Sequence, residues 1–185
     1  GHFIQSLKME NNPGWLASGV VEIPSGSANP LLREIWPESQ RTSVLSGIAD
    51  RNFWTAAERA SAGKEFVLSV VLPVSVSPTA HSFLLAKING AKGARRFAFT
   101  YLDEESMARH AFDSLGEFRG QIREIGEGFG QRLIFDSIET NGKTRRSSQK
   151  TESTVLLSGR AWALEVVTDK EGNLRFPLWL LLGGT

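Results

Sequence analysis

Catalysis near neutral pH needs nucleophiles, proton carriers or metal ligands, and this chain is sparing with all three. Its three histidines, His2, His81 and His110, stand apart from one another, none has a partner at H-x-x-x-H spacing, and cysteine is absent. Neither a metal site nor thiolate chemistry is therefore expected. No G-x-S-x-G elbow occurs among the serines, although a Ser-His-Asp triad meets only in space and so stays open at this level. The run Gly126-Glu127-Gly128-Phe129-Gly130 looks like a phosphate loop, but it reads as following a helix and preceding a strand. A phosphate cradle needs the opposite order, strand then loop then helix, so the run reads as a helix stop. Asp136 reads as a turn residue that ends a strand. Lys143, Arg145, Arg146 and Lys150 make a small basic loop. It suits an anionic ligand or a phospholipid head group, but reads more simply as a solvated hairpin tip. No enzyme and no cofactor are expected.

The aromatic residues offer a binding chemistry instead. Phe53 and Trp54, on a predicted helix, are placed to meet Phe66, Phe83, Phe97, Phe99 and Tyr101 on the strands that follow. A ligand pocket combines such an apolar wall with a few converging polar groups, and Ser69, Lys87, Arg95, Thr100 and the Tyr101 hydroxyl are available for that role. The candidate ligand-binding residues are Phe53, Trp54, Ser69, Phe83, Phe97, Phe99 and Tyr101. Each of them would serve equally well in an ordinary packed core.

The elements that must position these residues follow from pattern. Trp15 to Ile23 alternates as a strand, and Pro30 to Trp36 is expected as a short helix stopped by Pro37. Asp50 or Asn52 caps a helix to about Ser61, with Phe53, Trp54, Ala57 and Ala60 as its stripe and Gly63 as its end. Glu65 to Val76 is rich in β-branched residues and predicts a long strand, with Pro73 marking an edge or bulge. Ser82 to Ile88 and Arg96 to Leu102 form a hairpin about Asn89–Gly93. Asp103 opens a helix, and Met107, Ala111, Leu115, Phe118, Ile122 and Ile125 at spacings of three and four carry it to Gly126. Strands are expected at Arg132 to Ile138, Thr154 to Leu157 and Arg160 to Thr168, the last two joined at Ser158-Gly159. Short hairpins make the pairing antiparallel, so the class is α+β with packed helices, as two β-rich lobes joined by the long helix.

Bulk properties narrow the partners. The 185 residues, 20.3 kDa, are 41% hydrophobic and 22% charged, ordinary globular usage. A net charge of +1 supplies none of the field that nucleic-acid binding needs. The lack of cysteine agrees with an oxidising compartment without requiring one. Gly1-His2 reads as the remnant of a cleaved tag. The run Phe176-Pro177-Leu178-Trp179-Leu180-Leu181-Leu182 is apolar but shorter than the roughly 20 residues of a membrane span. It reads either as the opening of such a span or as a final buried strand.

Several stretches resemble a known family. Asp50-Arg51-Asn52-Phe53-Trp54-Thr55-Ala56-Ala57-Glu58-Arg59-Ala60, then Gly63 and Val67-Leu68-Ser69, is similar to the first half of extracytoplasmic CHASE and double Cache sensor domains. So are the paired strands around Phe83-Leu84-Leu85 and Phe97-Ala98-Phe99. The closing Gly159-Arg160-Ala161-Trp162-Ala163-Leu164, shortly before Pro177, most resembles a CHASE domain. The resemblance covers about residues 46 to 182. It implies PAS-like sheets, a membrane-distal lobe over residues 3–102, a membrane-proximal lobe over 103–176, and a span starting within 177–185. It also implies a periplasmic sensor in a membrane histidine kinase, diguanylate cyclase or chemoreceptor, a small-molecule ligand on the distal sheet, and a homodimer. The alternative is a non-catalytic envelope domain that binds or assembles with other proteins, an enzyme standing third.

Overall fold

The computed structural model describes residues 13–26, 29–63, 66–72, 79–89, 93–116, 118–126, 130–138, 149–157 and 160–168. They fall into two units that divide between Asp103 and Glu104. Each is an antiparallel sheet with helical cover, so the class is α+β and PAS-like as the sequence predicts. The apolar segment after Thr168, the basic loop around Lys143 and His2 lie outside the described residues.

The first unit is a five-stranded sheet in the order β2-β1-β5-β4-β3. It is built from β1 (Trp15–Pro24), β2 (Leu31–Trp36), β3 (Val67–Leu68), β4 (His81–Ile88) and β5 (Ala94–Asp103). Alternation sorts the two faces. Val21 lies opposite Phe97, Gly19 opposite Phe99, and Tyr101 between Ala17 and Phe83. These residues look inward, beneath helices α1 (Arg41–Ile48) and α2 (Arg51–Ala62). Helix α2 begins where capping chemistry predicts, with Asp50 Oδ1 accepting the Asn52 N–H at 2.8 Å. Its buried stripe is Phe53, Ala56, Ala57 and Ala60. In α1, Gly47 lets the Phe83 ring come close, since a Cβ there would stand 2.7 Å from the ring edge.

Two expectations for this unit change. Leu31–Trp36 is a strand, not a helix: pairing with β1 satisfies its backbone, while Leu32 and Ile35 pack against the core. Tertiary pairing overrides a weak local preference there. Of the described residues of the long strand predicted over 65–76, only Val67–Leu68 is regular. Beyond it Ser69 and Leu72 still donate to the Phe83 and His81 carbonyls, at 2.7 and 2.8 Å, and residues 73–78 lie outside the described set.

The outer face of this sheet mixes apolar residues such as Val20, Ala98 and Leu84 with polar ones, and Glu22, near the end of β1, is the paired carboxylate among them. Arg33 and Arg96 both bond its carboxylate, Arg33 at 2.6 Å. The Arg33 bond first, then Arg96, holds the Glu22 carboxyl below the usual glutamate range. A lowered folded-state pKa contributes stability above the unfolded value, about 4.3, and that contribution is lost as pH falls through the folded value. Glu22→Gln is thus expected to destabilise the first unit at neutral pH, by an amount that shrinks as pH falls through the folded value. Thermal unfolding across that range checks this, and a difference that does not shrink with acid would refute it.

The second unit opens with α3 (Glu104–Leu115) and continues as β6 (Phe118–Gly126), β7 (Gly130–Asp136), β8 (Gln149–Leu157) and β9 (Arg160–Thr168), ordered β7-β6-β9-β8. The helix predicted through Ile125 therefore stops ten residues early. Gly116 adopts φ +61°, the left-handed conformation that ends helices. The residues that follow pair on both sides, with β7 and β9. Phe118, Ile122 and Ile125 satisfied a helical spacing, but Gly120, Ile122 and Glu124 also alternate, and the neighbouring strands select period two. Phe112 of α3 lies directly over Gly120, where a Cβ would fall 1.9 Å from its ring, and stacks on Phe135 at 5.3 Å. Gly126 consequently ends β6, not a helix, and Gly130 opens β7 opposite it.

Candidate functional site

The seven sequence-selected residues belong to the first unit, and six lie inside its core. Phe83 is the hub: Phe53 meets it edge-on at 5.2 Å, Phe99 edge-on at 5.8 Å, and Tyr101 lies tilted against it at 4.8 Å. Phe97 is fully buried on the same face. Trp54 packs its edge on Phe53 at 6.4 Å and stays partly exposed. The Ser69 hydroxyl accepts the Phe83 N–H at 2.8 Å and donates to the Val70 carbonyl at 3.0 Å. Serine here completes the ladder where β3 becomes irregular. Phe66, by contrast, is 64% exposed, Thr100 bonds Ser18 on the opposite face, and Lys87 reaches the Ser61 carbonyl from the surface.

One polar string touches this aromatic wall. The Tyr101 hydroxyl bonds His81 Nδ1 at 2.7 Å, and His81 Nε2 bonds Thr79 Oγ1 at 2.6 Å. A neutral imidazole donates from one nitrogen and accepts at the other, so the string is directional and reverses with the tautomer. The imidazole also meets the Tyr101 ring edge-on at 5.0 Å. Asn52 Nδ2 donates to the Val71 carbonyl at 3.0 Å and ties the start of α2 to the segment beside β4. The strand expected over Ser82 to Ile88 begins one residue earlier, at His81, whose register opposite Asp103 brings it beside Tyr101, two residues along β5.

The second unit holds a buried charge cluster. Arg160, at the start of β9, donates through Nε to Glu124 of β6 at 2.7 Å, and through both terminal nitrogens to Glu104 at the start of α3. Their side chains are 2%, 1% and 6% exposed. The guanidinium also lies over Trp162 at 5.2 Å, a favourable cation–π geometry. Burial opposes the charge on Arg160, but Glu104 and then Glu124 outweigh it and raise the pKa above the arginine norm. Arg160 thus acts as an internal clamp between helix and sheet. A cavity of about 30 Å³ adjoins it, bounded by Glu104, Ile122 and Trp162 among others, and is large enough for a single water.

The face of this sheet opposite α3 carries a broader groove of about 280 Å³, lined by Gln121, Arg123, Gln131, Glu152, Ala163, Glu165 and their neighbours. Among the described residues, no three His, Cys, Asp or Glu side chains gather to hold a metal ion, and no helix is long and apolar enough to cross a membrane.

No protein-family model matches this chain, and no curated protein matches it. Among solved structures, the chain is similar to one titled "Extracellular ligand binding receptor from Desulfohalobium retbaense DSM5692", with a TM-score of 0.55 and 13% identity. The match covers 89% of this chain and 32% of that one, so this chain spans about a third of the receptor's length. At that identity the likeness is one of fold.

Proposed function

We propose that this chain is the extracytoplasmic sensor portion of a membrane-bound signalling protein, non-catalytic itself, that binds a small molecule on the inner side of its first sheet. The observation behind the reading is the wall formed by Phe53, Phe83, Phe99 and Tyr101, with the Thr79–His81–Tyr101 string at its end; these rings are packed at 0–3% exposure, so a ligand would have to part the helices from the sheet to reach them. Apolar rings with a few oriented polar atoms are what a small-molecule site uses. The receptor-like fold and the resemblance to CHASE and double Cache domains support the same reading. On it, the full protein is a membrane-anchored homodimer ending in a kinase, cyclase or chemoreceptor output. A ligand would bias that output only by its difference in affinity between two conformations.

The test is a thermal-shift screen with amino acids, organic acids, purines and sugars. A compound at about 100 times its Kd stabilises the fold by about 2.7 kcal/mol. Tyr101→Phe keeps the ring and removes the hydroxyl held by His81, so the fold should survive while the shift from the active compound is lost. Trp54→Ala should weaken it too. If no compound raises the midpoint, the small-molecule reading falls. The protein-binding alternative then gains, and Leu133 and Leu156, 52% and 78% exposed on the second sheet, would be the surface to probe.

A further inference from the structure

The groove on the open face of the second sheet is a site separate from the aromatic wall. Its floor is low because Ala163 of β9 stands between Arg123 of β6 and Thr154 of β8 in one cross-strand row. The next row carries Gln121, Glu165 and Glu152 side by side. Paired residues in an antiparallel sheet share a face, so both rows present their side chains to the same groove. The volume, about 280 Å³, falls just below the about 300–1,000 Å³ typical of small-molecule pockets, which suits a small ligand.

Charge is separated across this groove. Lys150 bridges Glu152 at 3.0 Å and Glu165 at 3.1 Å, so one cation serves two carboxylates. These bonds, Glu152 first, hold the Lys150 ammonium above its ordinary pKa and keep it charged. One negative charge on that side is left over. On the other side Arg123 has, among the described residues, only a hydrogen bond to Gln131 Oε1 at 3.5 Å, the outer limit of such a bond. A guanidinium offers five donors in a fork that matches a carboxylate. The groove is therefore neutral in sum and dipolar in layout, which disfavours simple anions or cations and suits a molecule bearing both charges.

We infer that this groove binds a small zwitterion of the amino-acid class, its carboxylate on Arg123 and its ammonium beside Glu165. The site stands apart from the one proposed above, and the two are told apart by which residues respond to ligand. The experiment is an NMR titration of the backbone amides with glycine, β-alanine and 4-aminobutyrate, which step the charge separation, and with acetate and methylammonium as singly charged controls. The expected result is saturable shifts at Arg123, Ala163 and Glu165 with at least one zwitterion, weaker shifts with either control, and at least a tenfold loss of affinity in Arg123→Gln. Arg123 lies on the solvent face, so the variant should keep the parent's unfolding midpoint. Shifts that leave Arg123 and Glu165 unmoved, shifts insensitive to Arg123→Gln, or equal shifts with acetate would overturn the inference. Saturable shifts confined to His81 and Tyr101 would support the aromatic site and reject this one.

Discussion

Arg160→Ala is expected to cost the second unit about 3–5 kcal/mol, the penalty for removing one partner from a buried ion pair. The guanidinium is 2% exposed, and it ties the first residue of α3 to the far end of β6 through two glutamates that are themselves almost fully buried. Without it, two carboxylates sit in low dielectric with their cation gone, and Trp162 loses the charge over its ring. The pH dependence of the variant identifies the cause. Buried carboxylates stripped of a cation have raised pKa values, so each contributes most when protonated, and that contribution is lost as pH rises through the folded value. The defect should therefore deepen from about pH 4 toward neutrality. Hydrogen exchange in β6 and β9 reads the unit directly, which matters because two units need not unfold as one. A cost below about 1 kcal/mol, or a defect independent of pH, would show that the cluster is not a clamp. Replacing all three charges by apolar residues of similar volume should restore most of the loss, since a buried ion pair contributes little net stability.

Phe83→Ala is expected to have a comparable effect in the first unit, about 3–5 kcal/mol. The ring is fully buried and touches Phe53, Phe99 and Tyr101 from three directions, with Gly47 of α1 beneath its edge. Its loss removes transfer energy and leaves a cavity that rigid aromatic neighbours fill poorly. Exchange should rise in β4, β5 and α2. If the aromatic wall instead encloses a dynamic pocket that readily collapses, the cost would fall toward the bare transfer value of about 1.5–3 kcal/mol. That outcome would indicate a loosely packed, ligand-adapted face, and the measurement speaks to function as well as stability.

Local chemistry was readable without coordinates. Asp50 as the cap of α2, Gly63 as its stop, the alternation of Phe97, Phe99 and Tyr101, and the pairing of β4 with β5 all rest on neighbours within a few residues. Phe53, Phe83, Phe97, Phe99 and Tyr101 share one buried region, because strand alternation and a helical stripe decide which side chains share a face, while Phe66 is exposed. Whether they form a pocket or a core depends on how tightly the two surfaces meet, which no spacing encodes. His81 and Arg160 escaped for a related reason. Their partners lie 20 residues away for Tyr101, and 36 and 56 away for Glu124 and Glu104.

The sequence by itself determined the α+β class, the capped helix, the alternating strands and the ordinary, nearly neutral surface, since each is a property of short windows or of composition. Only the tertiary structure decided that Leu31–Trp36 pairs as a strand, that α3 ends at Leu115, and that Arg160 faces inward. In those segments two periodicities or two environments were locally near equal in energy. Strand pairing and burial, which depend on residues far along the chain, tipped the balance.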